Sequence, residues 1–287
     1  MKIGKEKYQN INAVLNKKLE EKKVLIASHR GCTTGNIIGN TIPAFKSAFQ
    51  MGADICEMDV VKSTDGIFYA FHDGGEPLSF HRDECIKTMS SAMIDSLDYY
   101  NSIGGVSNYR TNRVEDILRF FCHGELFNID RAWDIFPELD QFLKGFPDVI
   151  RQVLLKAPIT QETLEFLEHC EQKYMFMPIA YSVQDVKDVL QYQNINLVGV
   201  ELIAESQKDE LFRQEVIEMI LEQGLFTWVN AITLNGDINL YGKLDDDISV
   251  REAPEYGWGR LFEKKIQILQ TDWPGLMDQY RKMYFHL

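Results

Sequence analysis

The sequence predicts a (β/α)8 TIM barrel with a small insertion after the second barrel strand. Three observations lead there. From residue 113 onward, apolar runs of strand length alternate with amphipathic stretches of helical period, the rhythm of a parallel sheet with crossover helices. About eight such strands can be counted, starting near residues 24, 54, 126, 153, 175, 197, 225 and 266 of a 287-residue chain, the number that closes a barrel. Ionisable residues (His29, Glu57, Asp59, Asp130, Lys156, Glu201, Asp272) sit at the C-terminal ends of those strands, where this architecture carries its active sites. An open doubly wound sheet would show a Gly-rich phosphate loop after its first strand, and GxGxxG is absent.

Taken in order, residues 1–22 read as a helix with Ile11, Leu15 and Leu19 on one stripe, packed on a single barrel domain spanning 23–287. A first strand covers 24–27. Thr41 caps a helix that starts at Pro43, carries Ala44, Phe45, Ala48 and Phe49 on its apolar face, and ends at Gly52. Strands at 54–61 and 67–71 flank Asp65-Gly66, a hairpin signal. Residues 74–112 are irregular and form the insertion, with one short helix at 91–99, placed to cover the site and choose substrates. Then come helix 114–121, strand 126–129, helix 136–143, strand 153–155, helix 161–170, strand 175–179, helix 183–191, strand 197–200, helix 212–223 and strand 225–229. A last strand at 266–269 and a helix at 275–285 complete the chain.

Composition bounds the function. The chain is 45% hydrophobic and 25% charged, an ordinary globular balance. A net charge of -13 argues against nucleic acid and anionic membrane surfaces as partners, although a bound cation can reverse the potential locally for a phosphorylated substrate. No long apolar run follows the charged start, so neither a secretory leader nor stable membrane insertion is expected. The 5 cysteines are scattered without CxxC spacing and read as reduced thiols, which predicts a cytoplasmic protein. Nothing in the residues speaks to oligomeric state.

The chemistry concentrates between Val24 and Asp73. Side chains alternate along a strand, so Glu57 and Asp59 point to one side. Two anions that close either share a proton or bind a cation, and oxygen ligands suit a hard divalent metal ion, Mg2+ or Ca2+. A metal held by two carboxylates wants a third, which makes Asp130 a ligand candidate; its other reading is a helix cap. His29 and His72, each after a strand-like run, read as acid and base across one reacting bond. Arg30 offers a fork suited to a phosphate, or to a surface ion pair. The acidic segment Lys243 to Asp247 lacks the rest of a calcium loop and reads as a solvated turn.

In order, His29-Arg30-Gly31, Asn40-Thr41, Ala44-Phe45, Gly52-Ala53-Asp54, Glu57-x-Asp59, Thr64-Asp65-Gly66 and His72-Asp73 resemble the opening of the glycerophosphodiester phosphodiesterase family. Trp228-Val229-Asn230 and Thr271-Asp272-x-Pro274 resemble its later strands. Three positions depart from the family pattern. Gly39 stands where the family usually has Glu. Asp130 stands where it usually has Glu, and Ala132 where it has Lys; related sphingomyelinase-D-like enzymes also use Asp. The resemblance implies metal-dependent hydrolysis of a small-molecule glycerophosphodiester to glycerol 3-phosphate and an alcohol, through a cyclic phosphate. It casts Glu57, Asp59 and Asp130 as metal ligands, His29 and His72 as catalytic, and Arg30, Lys156 (in place of the missing Lys) and Trp228 as substrate-binding. Two alternatives stay open at this stage: phospholipase-D-like action on lysophospholipid or sphingomyelin, and a non-catalytic barrel that binds a phosphorylated ligand.

Overall fold

The structure, a computed structural model, describes residues 2–146, 148–233 and 240–287. Its strands are β1 (Leu25–Ser28), β2 (Ile55–Lys62), β3 (Phe68–Ala70), β4 (Leu126–Asp130), β5 (Val153–Pro158), β6 (Met175–Ala180), β7 (Gly199–Leu202), β8 (Phe226–Asn230) and β9 (Ile268–Thr271). The parallel strands run β1-β9-β8-β7-β6-β5-β4-β2, and pairing of β1 with β2 closes the ring. This is the (β/α)8 barrel that the alternating pattern predicts. β3 lies outside the ring, antiparallel to β2 through the Asp65-Gly66 turn.

The helices are α1 (Ala13–Lys22), α2 (Ile42–Gln50), α3 (Glu76–Ser79), α4 (Ser91–Ser96), α5 (Val114–Phe120), α6 (Phe136–Leu143), α7 (Gln161–His169), α8 (Val183–Val189), α9 (Gln214–Glu222), α10 (Asp246–Arg251), α11 (Arg260–Glu263) and α12 (Pro274–Phe285). Several boundaries differ from the sequence expectation, among them the end of the helix expected at 91–99, which stops at Ser96, and the strand expected at 197–200, which covers Gly199–Leu202. The first helix covers only residues 13–22, after a separate turn at Glu6–Tyr8. Side chains set that break: Asn16 Oδ1 accepts the Ile3 N–H at 2.7 Å, and buried Asn12 exchanges hydrogen bonds with Asn196 instead of continuing a helix. In the insertion a second short helix, α3, precedes α4, because the buried Glu76 carboxylate accepts the N–H groups of Gly74 at 2.6 Å and Ile86 at 2.8 Å. Strand β5 runs past Lys156 to Pro158, since its parallel pairing with β6 continues that far.

What positions the site is the layering inside the barrel. Leu25, Ile55, Leu126, Leu154, Met175, Phe226 and Ile268, near the strand starts, pack together, with Ile3, Leu15 and Leu19 against them at that end. Two residues further along the same strands, alternation brings Glu57, Asn128, Lys156, Trp228 and Gln270 to the same inner face. The outer faces of the strands pack on the helices in a larger apolar cluster that includes Ile26, Phe45, Met58, Phe127, Phe176 and Leu269. Val61 of β2 and Tyr69 of β3 pack with Phe71, Phe80, Ile86, Met89, Ile94, Leu97 and Tyr99 in a separate small apolar cluster. At the other side of the barrel α12 is pinned by Arg281. Its guanidinium is fully buried, donates to the Val24 carbonyl at 2.8 Å and pairs with Asp54 and Asp278.

Candidate active site

The alternation of β2 turns Glu57 and Asp59 inward, and parallel register sets Asp59 opposite Asp130 of β4. Glu57, Asp59 and Asp130 each offer a carboxylate oxygen, and these oxygens all lie within 4.8 Å of one another. Glu57 and Asp59 are buried. Burial pushes the Glu57 carboxyl well above its usual range, and the neighbouring Asp59 and Asp130 charges push the same way; Lys156 and Arg30 oppose them.

Three residues organise these acids. Arg30 adopts a left-handed backbone (φ 54°), which aims its N–H at Glu57 Oε2 at 3.0 Å and brings its Nε to 3.0 Å from Asp59 Oδ2. The next residue must be glycine: at φ 78° a Cβ on Gly31 would come within 2.6 Å of the Ala44 backbone. Asn40 Nδ2 donates to Asp59 Oδ2 at 2.9 Å and its Oδ1 accepts the Asp59 N–H at 3.2 Å. At Gly39 a Cβ would come 3.1 Å from Arg30 Cβ and 3.2 Å from Thr33 Cγ2, so a side chain there would make these neighbours give by a few tenths of an ångström. Lys156 is buried 2.5 Å from Asp130 and 3.4 Å from Glu201, whose Oε1 accepts Asn230 Nδ2–H at 2.5 Å. Burial alone would lower the Lys156 pKa, but Asp130, Glu201 and Glu57 prevail and hold it above the ordinary lysine value.

The two histidines stand above these acids. His29 Nδ1 lies 2.9 Å from Asp272 Oδ1. A carboxylate only accepts, so Nδ1 carries the proton and Nε2 is the free basic nitrogen. Burial lowers the His72 pKa; Asp59 raises it, while Arg30 and Arg131 lower it further. Its neighbour Asp73 is tied to Arg131 at 2.6 Å and Lys87 at 2.7 Å. Burial would raise Asp73, yet those two cations hold it down to about 2. His29, Arg30, Asn40, His72 and Asp272 line one cleft of about 860 Å3, whose walls also carry Tyr99 and the apolar residues Met51, Trp273 and Leu276.

Two sequence expectations need correction. Trp228 does not stand at the rim: its ring is 0% exposed in the inner apolar layer and its Nε1–H donates to Asn230 Oδ1 at 2.9 Å. The alternation of Trp228-Val229-Asn230 explains this, because Trp228 sits one layer beneath Asn230. The tryptophan that lines the cleft is Trp273, 48% exposed. The acidic segment is not a solvated turn either. Asp245 caps α10 through the Ile248 N–H at 3.0 Å, and Asp246 is buried, which pushes its carboxyl up to about 7 against three hydrogen-bond donors that work downward. Lys156, a substrate-binding candidate from the sequence, lies buried between Asp130 and Glu201. Sequence reading assigned no role to Asn40, Asp272 and Asp246; the Asn40-Thr41 and Thr271-Asp272 pairs were the available signals.

The profile of the glycerophosphoryl diester phosphodiesterase family matches residues 29–224, and that of a domain of unknown function matches residues 174–281. A glycerophosphodiester phosphodiesterase of Caldanaerobacter subterraneus is 28% identical over 176 residues, 61% of this chain and 67% of the relative. Among solved structures, a glycerophosphoryl diester phosphodiesterase from Parabacteroides distasonis superposes with a TM-score of 0.72 at 15% identity, covering 91% of this chain and 87% of that one. An Oleispira antarctica phosphodiesterase in complex with the product sn-glycerol-3-phosphate superposes with a TM-score of 0.64 at 15% identity, covering 90% and 96%. At such identities the superpositions speak to the barrel fold, and the sequence profile to descent. The chain belongs to the glycerophosphoryl diester phosphodiesterase family of phosphoric diester hydrolases.

Proposed function

We propose that this enzyme hydrolyses a glycerophosphodiester to glycerol 3-phosphate and an alcohol, with a divalent metal ion, Mg2+ or Ca2+, and with His29 and His72 as base and acid. The observation that carries the reading is the convergence of Glu57, Asp59 and Asp130, their oxygens within 4.8 Å, beneath a cleft walled by both histidines. The donor set fits such an ion. All three groups are hard oxygen donors. Glu57, Asp59, Asp130 and Glu201 are joined through two cationic side chains among the described residues, Arg30 and Lys156, so with all four acids ionised two negative charges are uncompensated. Bound to those acids, the ion supplies positive charge against the phosphoryl oxygens.

The chain's own groups do the rest. Asp272 holds the His29 Nδ1–H, so Nε2 takes the proton of the attacking glycerol hydroxyl as its oxygen bonds to phosphorus. His72 gives its proton to the alcohol oxygen as the bond from that oxygen to phosphorus breaks. Water then opens the cyclic phosphate with the roles exchanged, and both imidazoles return to their starting states. Arg30, pinned at the acids, stabilises the charge growing on phosphorus. Lys156 balances Asp130 and Glu201 beneath them. No helix among the described residues is long and apolar enough to cross a membrane.

The test is a panel of glycerophosphocholine, glycerophosphoethanolamine, glycerophosphoglycerol and a lysophospholipid, with Mg2+ or Ca2+ and with EDTA. Turnover of the first three that EDTA abolishes is expected, with His29→Ala and His72→Ala each losing about 10²–10⁴-fold in kcat. Turnover that survives EDTA, or losses below tenfold in both variants, would refute the assignment.

A further inference from the structure

We infer that Asp246 is a positioning residue for the His29–Asp272 pair; the inference rests on the reading above, in which His29 moves a proton. Asp246 opens α10 in the connection from β8 to β9, where its N–H donates to the Ala231 carbonyl at 2.7 Å. Its carboxylate accepts three hydrogen bonds, each of 2.8 Å. Oδ1 takes those of Trp258 Nε1–H and the Thr271 hydroxyl, and Oδ2 takes the backbone N–H of Asp272. The Thr271 oxygen also accepts the Trp273 N–H at 2.9 Å. One buried carboxylate therefore holds the peptide planes on both sides of Asp272, directly and through one hydroxyl.

The consequence falls on His29. The Asp272 side chain is 50% exposed, so packing alone does not decide where its Oδ1 lies; the backbone beneath it does. That oxygen is what meets His29 Nδ1 at 2.9 Å. An amide in place of Asp246 keeps one accepting oxygen and turns the other position into a donor. If the oxygen stays with Trp258 and Thr271, the new NH2 opposes the Asp272 N–H, and Asp272 must shift. Misplacing a catalytic group by about 1 Å costs on the order of a hundredfold, so even a partial shift is measurable.

A loop anchor with no part in catalysis would show the same bonds, and a double-mutant cycle separates the two. D246N, D272N and the double variant are assayed on the glycerophosphodiester that the wild type turns over fastest. D246N is expected to lower kcat by about tenfold with KM within about twofold, and to lower it no further in the D272N background. Additive losses, or an unchanged kcat, overturn the inference. If D246N does not fold, T271V removes only the hydroxyl from the network and is read in the same cycle, with a loss of about threefold expected. If the wild type turns over no glycerophosphodiester, the functional reading fails, and positioning is then read from the His29 imidazole 15N shifts. The Nδ1-protonated tautomer of the wild type should give way to a mixture in D246N, or in T271V if D246N does not fold; an unchanged tautomer overturns the inference.

Discussion

Two clusters of buried charge stand a few residues apart in sequence and answer to different physics. Asp54 precedes β2 and Glu57 and Asp59 lie on it. Asp54 and Asp278 share the fully buried Arg281, with Lys282 2.6 Å from Asp278, so acids and bases match one for one. Every ion there has a partner, and the cluster ties α12 to the base of β1 and β2. In the barrel mouth, Glu57, Asp59, Asp130 and Glu201 outnumber Arg30 and Lys156. Such an excess either takes up protons or binds a cation. The balanced cluster is a fastener; under the proposed function the unbalanced one is a receptor for positive charge.

Breaking each cluster should give opposite signatures. Arg281→Met leaves Asp54 buried without its cation and is expected to cost about 3–5 kcal/mol of unfolding free energy in urea; an unmoved midpoint would show that the cluster is no fastener. Glu57→Gln should do the reverse. It retains an acceptor for the Arg30 N–H and relieves repulsion, so the metal-free midpoint should hold or rise while activity drops by at least about tenfold to a hundredfold. A Glu57→Gln protein that unfolds as readily as Arg281→Met would erase the distinction.

The same contrast has a pH signature. Glu57 has a folded pKa raised above its ordinary 4.5, so the folded state binds the proton more tightly than the unfolded chain. This contribution is complete below 4.5 and is lost as pH climbs from there towards the folded value. Glu201, also raised by burial, adds the same sign. Metal-free wild type should therefore lose stability on that climb, with a shallower slope in Glu57→Gln, read from urea midpoints across pH; identical slopes would deny that the Glu57 charge is strained. The smallest effect belongs to the cleft wall. Trp273→Ala should raise KM by about threefold, the ~0.5–1 kcal/mol of a half-exposed aromatic contact, and leave kcat in place; a kcat loss with constant KM would move Trp273 into the catalytic machinery.

Legibility in the sequence followed the range of the interaction. Period-two alternation places Glu57 and Asp59 on one face, and the Asp65-Gly66 turn marks the hairpin, because both are set by neighbours in the chain. Strand positions came out within a few residues for the same reason: near 126 against Leu126, near 175 against Met175. Trp228 was misplaced although alternation contains the answer, since Asn230 at the strand end puts Trp228 one layer down. Asp246 resisted reading for a different reason. An aspartate in an acidic run looks solvated, and only the approach of Trp258 and Thr271 from elsewhere in the chain makes it a buried acceptor.

The amino-acid order by itself determined the strand-helix alternation, the inward set of acids on β2 and the family motifs, all consequences of backbone periodicity and local turn chemistry. Tertiary structure decided which of the charged residues meet. Barrel closure set β1 between β2 and β9, bringing His29 onto Asp272, and parallel register set Asp59 beside Asp130 and Lys156 within reach of both Asp130 and Glu201. Pairings across 243 residues of chain, such as His29 with Asp272, are fixed by packing that no local pattern encodes.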